Sequence, residues 1–502
     1  MKKLSKAILV WLLAGSASAF ADAAKTNELP RSEPEAQGIP SKAIQAFVEA
    51  AEAKIDAVHS VMVVRHGRVV AEGWWTPYGK NDPHVMYSLS KSFTSTAVGL
   101  AIAEGKLTLD DSVLAAFPED APATASDNLK AMRLRDLLRM NTGQHADDVS
   151  AFRFDSDDKL TRVFLSLPVV HKPGTHFWYN TPATYMASAM VQKATGQSVL
   201  DYLRPRLFDP LGITGETWDA SKQGITLGGF GLRIKTEDIA RFGQLYLQQG
   251  EWQGKRLLSA DWIAEATARQ TSNGSSPTSD WEQGYGYQFW RCRHGLYRGD
   301  GAFGQFCIVM EKQDAVVAIT SGTRDLAGVM NLVWEHILPA LDAKPLPADK
   351  ASATRLRQKL ASLTLPPQAG EATKALATQV SGKRYAFPAN DAKLESVAVE
   401  FAADGAVIVA RQDGRESRVP VGQGSWRKGA SLLTNGVSEK IAASGAWTAD
   451  DTFTAKLAAY ETPFVQTVAL QWKGEELFVD TEYNVSFGER KRPRLVGKLE
   501  SK

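Results

Sequence analysis

A polar Ser/Lys cluster runs directly into an apolar, small-residue stretch at His84-Val-Met-Tyr-Ser-Leu-Ser-Lys-Ser-Phe-Thr-Ser-Thr-Ala-Val-Gly-Leu-Ala-Ile-Ala103. A helix so poor in charge reads as buried, so other elements must cover it. Ser88 and Lys91 lie three residues apart, a spacing that puts hydroxyl and amine on one helix face, one turn apart. With Ser88 at the helix start, its backbone N–H and the positive end of the dipole face whatever the oxygen attacks. This is the Ser-x-x-Lys arrangement of an activated serine nucleophile. The plainer reading is that Ser88, Ser90, Ser92, Thr94 and Ser95 cap and solvate a helix N-terminus. The same spacing recurs at Ser156-Asp-Asp-Lys159 and Ser425-Trp-Arg-Lys428. Ser156 lies in an acidic, turn-like run and Ser425 among strands and turns; only Ser88 opens a hydrophobic helix.

At 502 residues, 44% hydrophobic and 23% charged, the chain has a globular composition and is long enough for two or three domains. Its net charge of +2 is spread without a basic stripe, so neither nucleic acid nor an anionic membrane is an expected partner. Met1-Lys-Lys-Leu-Ser-Lys6, an apolar Ala7–Ala14 run and small residues up to Ala21 read as a secretory signal peptide over residues 1–21. The run is shorter than the ~20 residues a spanning helix needs, and no later stretch is long enough to cross a bilayer. The expected location is periplasmic or secreted. There Cys292 and Cys307, the only cysteines, can form a disulfide or remain two free buried thiols. No His-x-x-x-His or Cys-x-x-Cys spacing suggests a metal.

Ser41 to Lys54 reads as an amphipathic helix, and Val61–Val64, His66-Gly67 and Val69–Ala71 as strand, turn and strand. From Leu107 to about Leu341 the chain is mostly helical, returning to strands at Tyr285–Trp290, Gly304–Met310 and Ala315–Thr320. The expected catalytic unit is an α/β (α+β) domain over 22–344. Its antiparallel sheet is built from both ends of the domain, flanked by helices, with a helical insertion between. Residues 345–376, rich in proline and charge, suit a linker. Over 377–502, short alternating strands at roughly ten-residue intervals suggest a small β-barrel or sandwich.

A lysine of pKa ~10.4 is almost wholly protonated at neutral pH, so Ser88 needs a second basic group or a perturbed lysine. Tyr179, in Gly174-Thr-His-Phe-Trp-Tyr-Asn-Thr181, is the candidate. Either its phenolate is stabilised by a charged lysine, or a desolvated lysine goes neutral and the tyrosine relays the proton. The sequence resembles the serine β-lactamase-like hydrolases: class C β-lactamases, D-alanyl-D-alanine carboxypeptidases, esterases and 6-aminohexanoate-oligomer hydrolases. The matching stretches run in order over roughly residues 35–340. They are Tyr87–Thr94, Leu134–Gly143, Phe177–Thr181, Pro210–Ile213, Gly228–Leu232 with Asp238–Gly243, and Gly301–Gln305.

The resemblance implies a β-lactamase/transpeptidase-like fold and an acyl-enzyme on Ser88, with Lys91 and Tyr179 sharing the proton transfers. It also implies an oxyanion hole from the Ser88 and Ala302 amides, and no metal or organic cofactor. Substrate contacts are expected from Asn180 or Thr181, from Asp300 and Gly301, and from Asp148, which with Asp147 follows Gln144-His145. One departure matters: the family's Lys-Thr-Gly or His-x-Gly appears here as Gly299-Asp-Gly301. An Asp300 there would repel a substrate carboxylate. Arg298 or His294 are the cations that could stand in, and the simpler expectation is that β-lactams are not preferred. The expected activity is hydrolysis of a small-molecule ester or amide. The alternatives are a D,D-carboxypeptidase or β-lactamase, and, from another class, a catalytically silent ligand-binding protein. The C-terminal domain, outside the resemblance, can cover the site, bind a wall component or stabilise the enzyme.

Overall fold

The computed structural model describes residues 28–145, 152–433 and 438–501. The expected leader, Asp147 and Asp148 lie outside the described residues.

Strands β1 (Val58–Arg65) and β2 (Arg68–Trp74) form a hairpin across His66-Gly67. They are joined by β3 (Trp290–Arg291), β4 (Tyr297–Gly301), β5 (Gln305–Met310) and β6 (Ala315–Ser321) in one antiparallel sheet of order β2-β1-β6-β5-β4-β3. The two ends of the domain thus meet where β1 pairs with β6, Val61 opposite Ile319, as the residue pattern predicts. Both faces are covered. Met62 and Val64 belong to a core shared with α2 (Ser90–Ala103), α3 (Thr181–Thr195) and α4 (Thr236–Leu247). Val61 and Val63 pack with α1 (Ser41–Lys54) and α5 (Leu326–Leu332). This double cover is why β1, β5 and β6 are buried along their whole lengths instead of alternating.

The hydroxyls at the head of α2 are structural as well as polar. Ser92 Oγ donates to Gln288 O at 2.8 Å, Thr94 Oγ1 to Gly228 O at 2.9 Å, and Thr96 Oγ1 shares a 2.7 Å hydrogen bond with Tyr246. They satisfy buried carbonyls and fix the helix rather than solvate it. Within the stretch read as a linker lies α6 (Lys350–Ala361), packed on α1 and β2. There Gly73 leaves no room for a Cβ, which would fall 2.7 Å from Leu363.

The C-terminal strands are β7 (Arg384–Ala386), β8 (Leu394–Ala402), β9 (Gly405–Gln412), β10 (Arg415–Gly422), β11 (Arg427–Ser431), β12 (Glu439–Ala449), β13 (Thr452–Ala458), β14 (Val465–Lys473), β15 (Glu476–Tyr483) and β16 (Leu495–Leu499). Their order is β10-β9-β8-β7-β16-β15-β14-β13-β12-β11, and a β10–β12 pairing at Val421/Ala443 closes the sheet into a barrel. The barrel docks on the first domain: Val85 N donates to Glu461 O at 2.9 Å and Tyr78 Oη to Thr462 O at 3.1 Å.

The possible Cys292–Cys307 bridge is corrected by the fold. Both thiols are free and buried and belong to the cores on opposite faces of the sheet. Cys292 Sγ accepts from Arg298 Nη1 at 3.1 Å, and Cys307 Sγ donates to Ile239 O at 3.5 Å. Burial pushes the Cys307 thiol up to about 12, so it is a packing residue and not a nucleophile. We expect native protein to resist alkylation and the unreduced, denatured chain to take up two equivalents of iodoacetamide; uptake of none would mean a bridge.

Candidate active site

Ser88 sits in a short helical turn, Tyr87–Leu89, that leads into α2. Tyr87, just before it, has φ +44°, a conformation that costs a bulky residue about 1–3 kcal/mol and is often found at functional sites. Lys91 Nζ donates to Ser88 Oγ at 3.0 Å and to Gly229 O at 2.8 Å. The lysine side chain is 1% exposed, and burial lowers its pKa to about 7 against the opposing pull of Asp300. The Tyr179 ring stacks on Trp290 at 5.3 Å, and its centroid lies 5.0 Å from Lys91 Nζ. Burial, with Asp300 adding to it, pushes the phenol upward; a hydrogen bond with Ser88 acts the other way. Hydroxyl, amine and phenol therefore meet, with Ser88 and Tyr179 partly exposed. The rival serines do not assemble this way. Lys159 is paired with Asp120 at 2.9 Å and Lys428 with Asp82 at 2.8 Å.

The turn after β4 closes over the same serine. A Cβ at Gly301 would lie 2.1 Å from Met86 O and 3.2 Å from Ser88 N, so only glycine lets the strand end approach the nucleophile. Gly301 O accepts from Gly304 N at 3.2 Å. The intervening trans peptide turns the Ala302 N–H the opposite way, out of the turn. Two backbone amides, of Ser88 and Ala302, are thus brought to one end of α2.

A family model described as Beta-lactamase matches residues 44–342, more than half of the chain and all three of these side chains. The chain belongs to the Beta-lactamase family. It is a serine hydrolase of the β-lactamase/transpeptidase-like fold, followed by the barrel. The 6-aminohexanoate-dimer hydrolase of Paenarthrobacter ureafaciens is 24% identical over 307 residues, 56% of this chain and 78% of the relative. A lovastatin esterase of Penicillium rubens is 25% identical over 169 residues, 29% of this chain and 42% of its own. A solved Bacillus anthracis structure provisionally named 6-aminohexanoate-dimer hydrolase superposes with a TM-score of 0.51 at 19% identity, covering 64% of this chain and 89% of that one. That likeness concerns the fold alone.

Within this Beta-lactamase family member, the Gly299-Asp300-Gly301 strand has a packing reason. A Cβ on Gly299 would come 2.4 Å from Leu89 Cδ1 and 2.6 Å from Ser92 Oγ, so a side chain there would have to displace both. Asp300 is a buried strand residue, not a free turn acid. Arg298 Nε donates to its Oδ2 at 3.0 Å. Arg298 is 0% exposed and also donates to Asp280 O at 2.8 Å. It offsets the Asp300 charge and offers none to a ligand. His294 lies against Trp334, ring centroids 5.5 Å apart.

Asn180, expected as a substrate contact, is 0% exposed. Its Oδ1 caps α3 by accepting from Ala183 N at 3.1 Å; its Nδ2 donates to Gln144 Oε1 at 2.9 Å and Thr142 Oγ1 at 3.2 Å. With those hydrogen bonds made, Asn180 holds the segment that carries Tyr179. Thr181 remains partly exposed, its methyl against Gly229. The residue pattern assigned no role to the Gly229 carbonyl, although the Gly228-Gly229 pair signals a close backbone approach. It also gave no sign of Phe487. This barrel residue is 72% exposed and lies 5.3 Å from Tyr87 and 4.7 Å from Phe303, ring centre to ring centre. Tyr179, Tyr285 and Trp290 form a second aromatic cluster. For Asn180→Ala we expect a loss of about 1–3 kcal/mol of stability, from a missing cap and orphaned buried partners. Thermal denaturation checks this. Unchanged stability with a raised KM would instead mark a substrate contact.

Proposed function

We propose that the protein is an exported serine hydrolase that cleaves esters or small uncharged amides through an acyl-enzyme on Ser88. The carrying observation is a buried Lys91 amine, 3.0 Å from Ser88 Oγ, with its pKa lowered to about 7. A neutral amine there accepts the Ser88 proton as Oγ attacks the carbonyl carbon. The amides of Ser88 and Ala302 hold the oxyanion, a contribution of about 3 kcal/mol of barrier for a donor of this type. Tyr179, its phenol held protonated by burial, passes the proton to the departing alkoxide or amine as the acyl bond breaks. Water then repeats the sequence on the acyl-enzyme, and Ser88 recovers its proton.

Of the two proton schemes open from sequence, this arrangement favours the neutral lysine, because burial opposes both an ammonium and a phenolate. The relatives named as an amide-dimer hydrolase and an esterase support the reaction class. Glycine in place of a cation at position 299 supports substrates without a carboxylate at that subsite.

A fluorophosphonate is expected to add once to wild type, by intact mass, and not to Ser88→Ala; no adduct on wild type would leave a silent binding protein as the better account. p-Nitrophenyl esters are expected to turn over without stable labelling by a fluorescent penicillin, which would point to a D,D-peptidase. The pH dependence follows from Lys91. Its depressed pKa makes the amine neutral above about 7 and charged below. Ester kcat/KM should therefore be flat on the alkaline side of pH 7 and fall roughly tenfold per unit on the acid side. An acid limb centred several units lower would remove Lys91 from the role of base.

A further inference from the structure

The C-terminal barrel holds a cavity of about 740 Å3, within the ~300–1,000 Å3 range of small-molecule sites. Side chains alternate along a strand, and its wall is the inward row of adjacent strands: Val397, Ile408, Val468, Leu470 and Val479. The far end of the lumen is filled by Trp447, Trp472, Phe453 and Phe401, in mutual ring contact at 5.1–6.2 Å. The cavity therefore has an apolar wall in the same barrel core as these rings.

The mouth is polar in a specific way. Gln412 and Gln466 line it, 8% and 5% exposed. Each uses its amide nitrogen on a backbone carbonyl: Gln412 Nε2 donates to Ala392 O at 2.8 Å and Gln466 Nε2 to Leu433 O at 3.4 Å. Carbonyl partners fix which end of each amide is nitrogen. The two Oε1 atoms are thus acceptors, and among the described residues neither has a partner. Buried acceptors left bare are costly, and a ligand donor reached by a small turn of either side chain toward the cavity would relieve that cost. The charges around the rim cancel, Lys393 and Arg492 against Asp391 and Asp413, so the mouth does not select an ion.

We propose that the barrel lumen binds a single-chain amphiphile. Its hydrocarbon chain lies among Val397, Val468 and Leu470, and an uncharged head donates an O–H or N–H to Gln412 or Gln466. The site is separate from the reactive serine, since Ser88, Lys91 and Tyr179 do not line the cavity. It can therefore be tested in full-length Ser88→Ala protein, where hydrolysis does not interfere.

Isothermal titration with 1-decanol is expected to give one bound molecule per chain. Decyl methyl ether, which has the chain but no donor, should bind about tenfold more weakly, and decanoate no more tightly than the alcohol. Val468→Trp, which fills the lumen, should abolish binding, whereas Ala469→Trp, on the outward face of the same strand, should keep it. Should Val468→Trp not fold, the paired Gln412→Leu and Gln466→Leu changes decide, because they should erase the preference for alcohol over ether. Absence of binding to the parent protein, binding that survives Val468→Trp, tighter decanoate, or an alcohol preference untouched by the glutamine changes would each overturn the proposal.

Discussion

Everything around the site follows from burying one amine beside one hydroxyl. An ammonium removed from water loses most of its solvation, and neither hydrogen-bond partner of Lys91, the Gly229 carbonyl and Ser88 Oγ, is a carboxylate. Asp300 is the charge that favours the ammonium, but Arg298 already pairs with it. Near neutrality the free amine is then about as populated as the ammonium, so a base is available to Ser88. Arg298 pairs with the one acid that pulls the other way.

Close burial requires backbone to approach backbone, and glycine is the means. Gly299 and Gly301 let the β4 strand lie against the head of α2, and Gly229 brings its carbonyl to the amine. The contact of β4 with α2 has a chemical consequence. Gly299, in the place of the first residue of the Lys-Thr-Gly pattern, lies against Leu89 and Ser92 and carries no charge.

Much of this was legible from residues because it rests on local rules. The period of the strand pairs, the apolar helix after Ser88 and the glycine stops gave the order of elements, and motif order along the chain picked out three side chains that meet in the fold. What escaped depends on direction in space. Asn180 and Thr181 are neighbours in sequence, and only the start of α3 decides that one turns inward as a cap while the other faces Gly229. Cys292 and Cys307 flank a turn, yet they belong to the cores on opposite faces of one sheet. Asp300 read as a repelling charge because Arg298, two residues away, was not known to share its face of the strand.

The barrel is the clearest case of function set by placement. No feature of Asn484–Gly488 distinguishes it from any exposed turn. Asn484 Nδ2, however, donates to Gly322 O at 2.8 Å and Pro463 O at 2.9 Å, and its Oδ1 accepts from Val465 N at 2.8 Å. One side chain ties the first domain, the barrel and the turn together. The turn then sets Phe487 against Tyr87 and Phe303, the residues next to Ser88 and Ala302. The barrel therefore reaches the residues that flank the serine, and that contact was set by the fold and not by any local signal in residues 484–488.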